Sequence, residues 1–350
     1  MPIILHRLLR RAARVLRIAV FCAGATSAAA GLAAPAHETV SLGHYAASGP
    51  IQADVVDAAW TDAVRNRTLP LRVRLPDARG PRPVILFSHG LGGSVDGGRY
   101  WGEQWASHGF VVIHIQHPGS DEAVWKDAKR PARALRRAAS AEQFVARVAD
   151  VKFVLDELQR RQRAGDAFAL RADLARIGMS GHSFGAVTTQ TLAGQRFDVP
   201  RRLQAQADAL ADDRLRAFIA FSPSARTDDA VVQFKEITRP FFSVTGSADG
   251  TVGLGLGVPA YRRLLPYEGM PGPDKYLLNL DGADHMIFNG APRRRSDGAD
   301  PVRDELHTTL TRATTTAFWL AYLTDDAAAL AWLRSGAGTA VGSAGQFRTK

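Results

Sequence analysis

Short apolar segments alternate with longer amphipathic segments along most of the chain. The apolar segments predict strands, because each is nearly continuous and runs into a loop that contains glycine or polar residues. They are PVILFSHG (83–90), FVVIHIQHPG (110–119), RIGMSGH (176–182), AFIAFSPS (217–224), PFFSVTGSADG (240–250) and KYLLNLDGADH (275–285). Strands that are apolar on both faces are typical of a parallel sheet covered by helices. The pattern therefore predicts an α/β fold with its ligand site at the carboxyl ends of the strands.

Three amphipathic segments predict helices that cover this sheet. They lie at residues 99–108, after a capping box formed by Ser140 and Gln143, and after Asp300-Pro301. Their apolar residues recur every three or four positions, which is the spacing of one helix face packed on a core. Residues 120–139 and 251–274 fit neither pattern, and both follow strands. We therefore expect lid-like loops at these two places.

The first 36 residues have the pattern of a secretory signal peptide. A basic stretch without acids is followed by the apolar IAVFCAGATSAAAGLA, and small residues precede the end of the segment at Ala36. An uncleaved membrane anchor is the alternative, but glycine, serine and threonine interrupt the apolar stretch, which is shorter than the ~20 residues of a span. We predict export to the periplasm or the medium without stable membrane insertion. The twin arginines, Arg10 and Arg11, leave the export route open.

The rest of the chain shows no internal repeat and no second apolar core. Residues 37–334 are therefore predicted to form one domain. Residues 335–350 are small, polar and rich in glycine, and they are predicted to form a flexible tail.

Charge and cysteine content exclude several classes of function. The formal net charge is +10, but five arginines lie in the predicted signal peptide, which leaves +5 for the rest. The arginine-rich stretches at 129–137 and 159–163 lack interleaved aromatic residues, so we expect a solvated surface there and no nucleic-acid partner. Cys22 is the single cysteine and lies in the predicted signal peptide. A mature chain would therefore have neither a thiol nucleophile nor a disulfide.

Ser183 is the candidate nucleophile. It is the central residue of Gly-His-Ser-Phe-Gly (181–185), between an apolar strand and a segment compatible with a helix. A sharp strand-to-helix turn exposes such a serine, and glycine on each side lets the backbone pass without a clash. The backbone N–H groups of Phe184 and Leu91 are the expected oxyanion donors, with Gly92 as the alternative to Leu91.

His285 is the candidate base. In a triad whose serine lies on such a strand-to-helix turn, the histidine follows both the serine and the acid along the chain. Only His285 and His307 lie beyond Ser183. His307 falls within the C-terminal helical pattern, whereas His285 follows the last apolar strand. We therefore expect His285 to accept the proton of the serine.

Asp249 is the candidate acid that orients the histidine, since it ends the strand at 240–250. Asp228 and Asp229, in the loop of the preceding strand, remain the main alternatives. Asp281 and Asp284 lie so close to His285 in sequence that neither easily reaches the far side of its imidazole.

His117 and Trp125 are predicted to contact substrate at the mouth of the site. A metal site is the alternative reading of His114, His117 and Asp121, whose side chains are of ligand type. Residues three apart on an extended strand point to opposite faces, so we predict no metal there and no cofactor.

With these residues placed, the chain resembles the α/β-hydrolases, and among them the bacterial predicted dienelactone hydrolases and the platelet-activating-factor acetylhydrolases. The resemblance is carried by LFSHGLGG, WASHGFVV followed by HPGSDE, RIGMSGHSFGA and LDGADHMIF, within residues 67–323. It implies an α/β-hydrolase fold, a serine–aspartate–histidine triad, and an oxyanion hole at the positions of Leu91 and Phe184.

Two departures from the related families refine the expected activity. True dienelactone hydrolases use a cysteine nucleophile, so Ser183 favours ester hydrolysis. The chain is also similar to bacterial cutinases and polyester hydrolases, but FSPSA (221–225) lacks the tryptophan that stacks on substrate in those enzymes. We expect a secreted serine carboxylic ester hydrolase with a small or lipid-like ester substrate. A polyester hydrolase, an acyltransferase, and a non-catalytic binding protein on the same fold are the alternatives.

Overall fold

All six apolar segments of the sequence form strands of one sheet. The computed structural model describes residues 41–250, 257–291 and 300–350, which belong to one compact unit, Thr39–Lys350. The strands of these described residues are β1 (Ala53–Asp62), β2 (Arg67–Pro76), β3 (Arg82–Ser88), β4 (Val111–Ile115), β5 (Ala172–His182), β6 (Leu215–Phe221), β7 (Phe241–Ala248), β8 (Lys275–Asp284) and β9 (Gly345–Thr349). The predicted signal peptide, residues 1–36, lies outside the described residues.

The strand order explains where the site lies. The sheet runs β1-β2-β4-β3-β5-β6-β7-β8-β9, with parallel pairing from β4 to β8 and antiparallel pairs at both edges. The chain proceeds from β3 to β4 in one direction and from β5 to β6 in the other. Loops after β3 and β5 therefore diverge and leave a crevice at the carboxyl end of the sheet. The mostly parallel sheet with helices on its faces confirms the predicted α/β-hydrolase fold.

Helices cover both faces of the sheet. They are α1 (Leu42–Ala46), α2 (Arg99–Ser107), α3 (Ala123–Lys126), α4 (Pro131–Ala138), α5 (Ala141–Arg163), α6 (Phe184–Ala193), α7 (Gln204–Asp208), α8 (Ala230–Phe234), α9 (Leu265–Gly269), α10 (Pro301–Leu323), α11 (Ala327–Ala331) and α12 (Ala337–Val341). On one face, Trp105 of α2 and Trp319 of α10 pack on Phe221 and neighbouring sheet residues. On the other, Val151 of α5 and Leu192 of α6 pack on Leu86 and its neighbours.

Side-chain caps begin two of the helices at the places that the sequence indicates. The Ser140 side chain accepts the Gln143 N–H at the start of α5, and the Asp300 carboxylate accepts the Arg303 N–H at the start of α10. Each cap satisfies an N–H group that has no partner within its own helix.

The two predicted lid-like segments are more regular than the sequence indicates. Residues 120–139 contain α3 and α4, and α4 begins with Pro131 at a first-turn position that tolerates proline. The described part of the second segment, residues 257–274, contains a 3₁₀ turn, Ala260–Arg263, and α9. Residues 251–256 lie outside the described part of the chain.

The prediction of a flexible tail at residues 335–350 is wrong. This segment contains α12 and β9, and β9 pairs antiparallel with β8. The Phe347 ring lies 5.8 Å from Phe242 and 6.2 Å from Tyr276, centroid to centroid. Pairing with an existing edge and burial of one aromatic ring outweigh the glycine-rich composition.

None of the described helices combines the length and the apolar character required to cross a membrane.

Replacement of Phe347 tests whether β9 contributes to stability. We expect Phe347→Ala to lower the free energy of unfolding by about 1–2 kcal/mol, because a half-buried ring loses its packing on β8. Gln346→Ala, at an exposed position of the same strand, is the matched control and should change it by less than about 0.5 kcal/mol. If urea titrations gave the same change in the free energy of unfolding for both variants, this strand would not pack on the sheet.

Candidate active site

Ser183 lies in a strained turn between β5 and α6. Its φ is 56° and its ψ is −112°, in a region that residues other than glycine rarely adopt. A Cβ atom at Gly185 would lie 1.9 Å from the Ser88 carbonyl oxygen, and one at Gly181 would lie 2.4 Å from the Gly185 carbonyl oxygen. The backbone therefore requires glycine on both sides of the serine. The Ser183 N–H donates to the Phe221 carbonyl at 2.9 Å, which fixes the turn to the end of β6.

The loop after β3 lies against this turn and offers a free N–H group. Gly92 N–H donates to the Ser120 carbonyl at 2.8 Å, and Gly93 N–H donates to the Gly90 carbonyl at 3.1 Å. Among the described residues no acceptor is recorded for the Leu91 N–H. Phe184 is the first residue of α6, where N–H groups have no partner within the helix. The geometry thus favours Leu91 over Gly92 as the second donor.

His285 and Asp249 form a buried hydrogen-bonded pair. The His285 Nδ1–H donates to Asp249 Oδ1 at 2.7 Å, and the Thr245 hydroxyl donates to Asp249 Oδ2 at 2.8 Å. Burial by itself would raise the pKa of Asp249, but the hydrogen bond from His285 and the positive charge of Arg263 hold that pKa below its ordinary value. Asp249 therefore stays ionised and leaves Nε2 as the acceptor nitrogen of His285.

The alternative acids have other partners. Asp228 is exposed and binds Tyr261 and Arg262, and Asp229 caps α8. Asp284 accepts the N–H groups of the two residues that follow His285. None of these contacts orients the imidazole.

A cleft of about 380 Å³ brings Ser183, His285 and the loop after β3 together. Its apolar lining comes from both predicted lid-like segments, from α6 and from the loops after β3 and β8. The apolar side chains are Leu91, Leu135, Ala139, Phe184, Val187, Val258 and Met286. The cleft therefore suits a mainly apolar ligand with one polar centre near Ser183.

Trp125 lies behind the loop after β3 rather than in the cleft. Its indole N–H donates to the Gly92 carbonyl at 2.7 Å, and the side chain is 37 % exposed. Gly92 has φ of 74°, and a Cβ atom there would lie 2.7 Å from Leu135 and 3.0 Å from the indole. Trp125 thus supports the loop and the cleft wall, and its predicted contact with substrate stays a proposal.

The expectation that His117 lines the mouth of the site is wrong. Its side chain is 0 % exposed; Nδ1–H donates to Asp150 Oδ2 at 2.9 Å, and Nε2 lies 2.9 Å from the Ser88 hydroxyl. The sequence places His117 correctly after β4 but gives no measure of its depth. It belongs to a polar network beneath the loop after β3.

Arg147 of α5 is the centre of that network, and the sequence analysis did not identify it. The fully buried guanidinium donates to the Ser88 hydroxyl at 3.1 Å and to the His89 carbonyl, and it lies 4.7 Å from the centre of the Phe184 ring. It therefore contacts both segments that carry the candidate oxyanion donors. A basic residue within the apolar face of a predicted helix was the available signal.

Asp150, one turn after Arg147, balances this charge. It accepts two hydrogen bonds from Arg67, at 2.7 and 2.9 Å, besides the one from His117. Burial would raise the pKa of Asp150, but the hydrogen bonds from His117 and Arg67 lower it well below its usual range. The network is thus a set of fixed charges under the site.

Among the described residues, no group of three or more histidine, cysteine, aspartate or glutamate side chains is arranged to hold a metal ion.

Buried neutral histidines predict a loss of stability in acid. Burial lowers the pKa of His117 to about 4 and that of His114 to about 3. An unfolded histidine titrates near 6.5, so below that pH the unfolded state binds protons that the folded state does not, and the stability present above pH ~6.5 is lost as the pH falls. We expect the free energy of unfolding, measured in urea, to fall by about 3 kcal/mol or more from pH 7 to pH 4.5.

His114→Asn isolates one of these histidines, because asparagine keeps a donor for the Gly97 carbonyl that His114 binds. In this variant the slope of stability against pH should be smaller by up to ~1.4 kcal/mol per pH unit. An unchanged slope would show that His114 is not buried in its neutral form.

Sequence comparisons relate parts of this chain to two groups of enzymes. The sequence model of the family described as platelet-activating factor acetylhydrolase, isoform II, matches residues 51–170, about a third of the chain, which includes the loop after β3 but ends before Ser183. The chain is also 27% identical over 207 residues to cutinase est2 of Thermobifida alba, across 59% of this chain and 53% of that protein. The match thus spans about half the length of the cutinase. The chain has an α/β-hydrolase fold and is similar, over part of its length, to platelet-activating factor acetylhydrolase, isoform II, and to cutinase.

Proposed function

We propose that the chain is a serine carboxylic ester hydrolase that acts through an acyl-enzyme. The observation that carries this proposal is the presence of Ser183, on its strained turn, in the same cleft as a histidine that is hydrogen-bonded to a buried carboxylate. The similarity of the chain to an acetylhydrolase family and to a cutinase supports ester hydrolysis as the reaction class.

Each candidate residue has a distinct role in the proposed reaction. Ser183 Oγ attacks the ester carbonyl, and His285 Nε2 takes the serine proton and passes it to the leaving alcohol. Asp249 keeps the other imidazole proton on Nδ1 and stabilises the imidazolium. The N–H groups of Leu91 and Phe184 donate to the oxyanion, and water then releases the acid by the same proton path in reverse.

The cleft supports a small or lipid-like ester as the substrate. Seven apolar side chains line it, and the described residues around it offer no aromatic platform directly after β6, where Ser222, Pro223 and Ser224 follow. A polyester is the second candidate, because the chain is similar to a cutinase. Release of soluble acid from a polyester film, compared with hydrolysis of p-nitrophenyl esters, distinguishes the two substrates.

Export remains part of the proposal. It rests on the pattern of residues 1–36, and the N-terminal sequence of protein recovered from an expressing bacterium tests it: a start at or next to residue 37 is expected.

Removal of the nucleophile gives the first test of the reaction. We expect Ser183→Ala to lower kcat on p-nitrophenyl butyrate by at least about 10⁴-fold with an unchanged melting temperature, since only the attacking oxygen is removed. Ser335→Ala, on the exposed surface and bonded to the Ala331 carbonyl, should retain wild-type rates. Turnover by purified Ser183→Ala at the wild-type rate would overturn the proposed function.

Two aspartate variants test the choice of acid. Asp249→Asn should lower kcat by about 10³–10⁴-fold, because an amide can hold the imidazole in the wrong tautomer. Asp228→Asn, at the main alternative position, should stay within about twofold of wild type because Asp228 binds only exposed side chains. The reverse order of effects in steady-state kinetics would assign the role to Asp228.

A further inference from the structure

A second buried arginine, Arg263, lies beside the proposed acid and base. It ends the 3₁₀ turn Ala260–Arg263, within the second predicted lid-like segment, and its side chain is almost fully buried. Nε donates to the Asp249 carbonyl at 3.1 Å, and Nη1 donates to the Ser222 carbonyl at 2.9 Å. Backbone oxygens at two strand ends therefore hold the guanidinium. Their positions do not depend on the rotation of any side chain.

The guanidinium faces both members of the proposed pair. Nε lies 3.4 Å from Asp249 Oδ1, and Nη2 lies 3.5 Å from His285 Nδ1. The Nδ1 proton already goes to Asp249, so Nη2 cannot use that nitrogen as an acceptor. The contact is consequently a positive charge next to the imidazole rather than a hydrogen bond to it.

Among the described residues, the titratable side chains with a recorded contact to the His285 ring are Asp249, Arg263 and His182. The His182 ring centre lies 4.6 Å from that of His285, and its Nε2 is 3.0 Å from the His285 carbonyl oxygen. Burial lowers the pKa of His182 well below its ordinary value, so this ring stays neutral. In the described part of the chain, Asp249 and Arg263 are thus charged groups on opposite sides of this balance: the carboxylate favours a positive imidazole and the guanidinium disfavours it.

We propose that Arg263 is a positioning residue that holds the Asp249 carboxylate toward His285 and keeps a fixed positive charge beside the imidazole. The proposal rests on the proposed function only in taking His285 as the base. A guanidinium at this distance disfavours a second positive charge on the imidazole, while Asp249 favours it. Backbone oxygens accept the hydrogen bonds of Arg263 Nε and Nη1, so the guanidinium attracts Asp249 Oδ1 from 3.4 Å while that oxygen still accepts from His285 at 2.7 Å.

Neutral replacements of Arg263 test the charge effect. In Arg263→Gln and Arg263→Met, we expect the acid limb of the pH profile of kcat/KM on p-nitrophenyl butyrate to move up by about one pH unit. In Arg263→Lys, which keeps the charge, the acid limb should stay within about 0.3 pH units of its wild-type position. Arg262→Met is the matched control: Arg262 lies on the same turn but is bonded to Asp228 at the surface, and its profile should match wild type.

A second measurement does not depend on turnover. In a histidine NMR titration, the His285 signal is assigned as the one that disappears in His285→Gln. The midpoint of its titration should rise in both neutral variants and not in Arg263→Lys. A folded protein without esterase activity would overturn the proposed function and still show this rise. Neutral variants that fold, by circular dichroism, with the wild-type midpoint and acid limb would overturn the role of Arg263. A shift of the same size in Arg263→Lys would overturn the charge as its cause.

Discussion

The contact between Gly185 and the Ser88 carbonyl is the constraint on which the site depends. At this point the end of β3 and the start of α6 approach so closely that a side chain on residue 185 would overlap a backbone oxygen. The contact brings the loop that carries Leu91 close to the first residue of α6, Phe184, because each lies within a few residues of it. Arg147 bridges the same two segments by binding the His89 carbonyl and lying on the Phe184 ring. Backbone packing and one buried charge together thus restrain the two segments that carry the candidate donors.

Buried charge flanks the proposed reaction centre on both sides. Arg147 and Asp150 lie beneath the loop after β3, and Arg263 and Asp249 lie behind the histidine. Burying an ion pair costs desolvation energy that often equals the attraction gained, so such pairs are weak sources of stability. Their effect here is on geometry. Arg147 binds the Ser88 hydroxyl and the His89 carbonyl, and Arg263 binds the carbonyls of Asp249 and Ser222.

The sequence predicts those parts of the fold that carry a repeating pattern. The six central strands were identifiable because parallel strands are apolar on both faces, and Asp249 was identifiable as the candidate acid because it directly follows one of them, β7. The edge strands were missed, since most of β1 is exposed or half-buried and β9 lies in a glycine-rich segment. His117 was placed after the correct strand but at the wrong depth, because burial depends on α5, which packs above it. Arg263 lies in an irregular turn, where no periodicity distinguishes a buried arginine from a solvated one.

The site divides between segments that would carry the chemistry and segments that would select the substrate. Ser183, Asp249 and His285 each follow a central strand, and their positions are fixed by sheet register and by buried hydrogen bonds. Leu135 and Val258, in contrast, come from segments outside the sheet, and they contact the cleft only through apolar side chains. Substitutions in these two segments can change the shape of the cleft without moving the strand ends. The exception is Arg263, which belongs to the second segment but is anchored to the strand ends. Through this residue, a change in a substrate-selecting segment would reach the proton chemistry of His285.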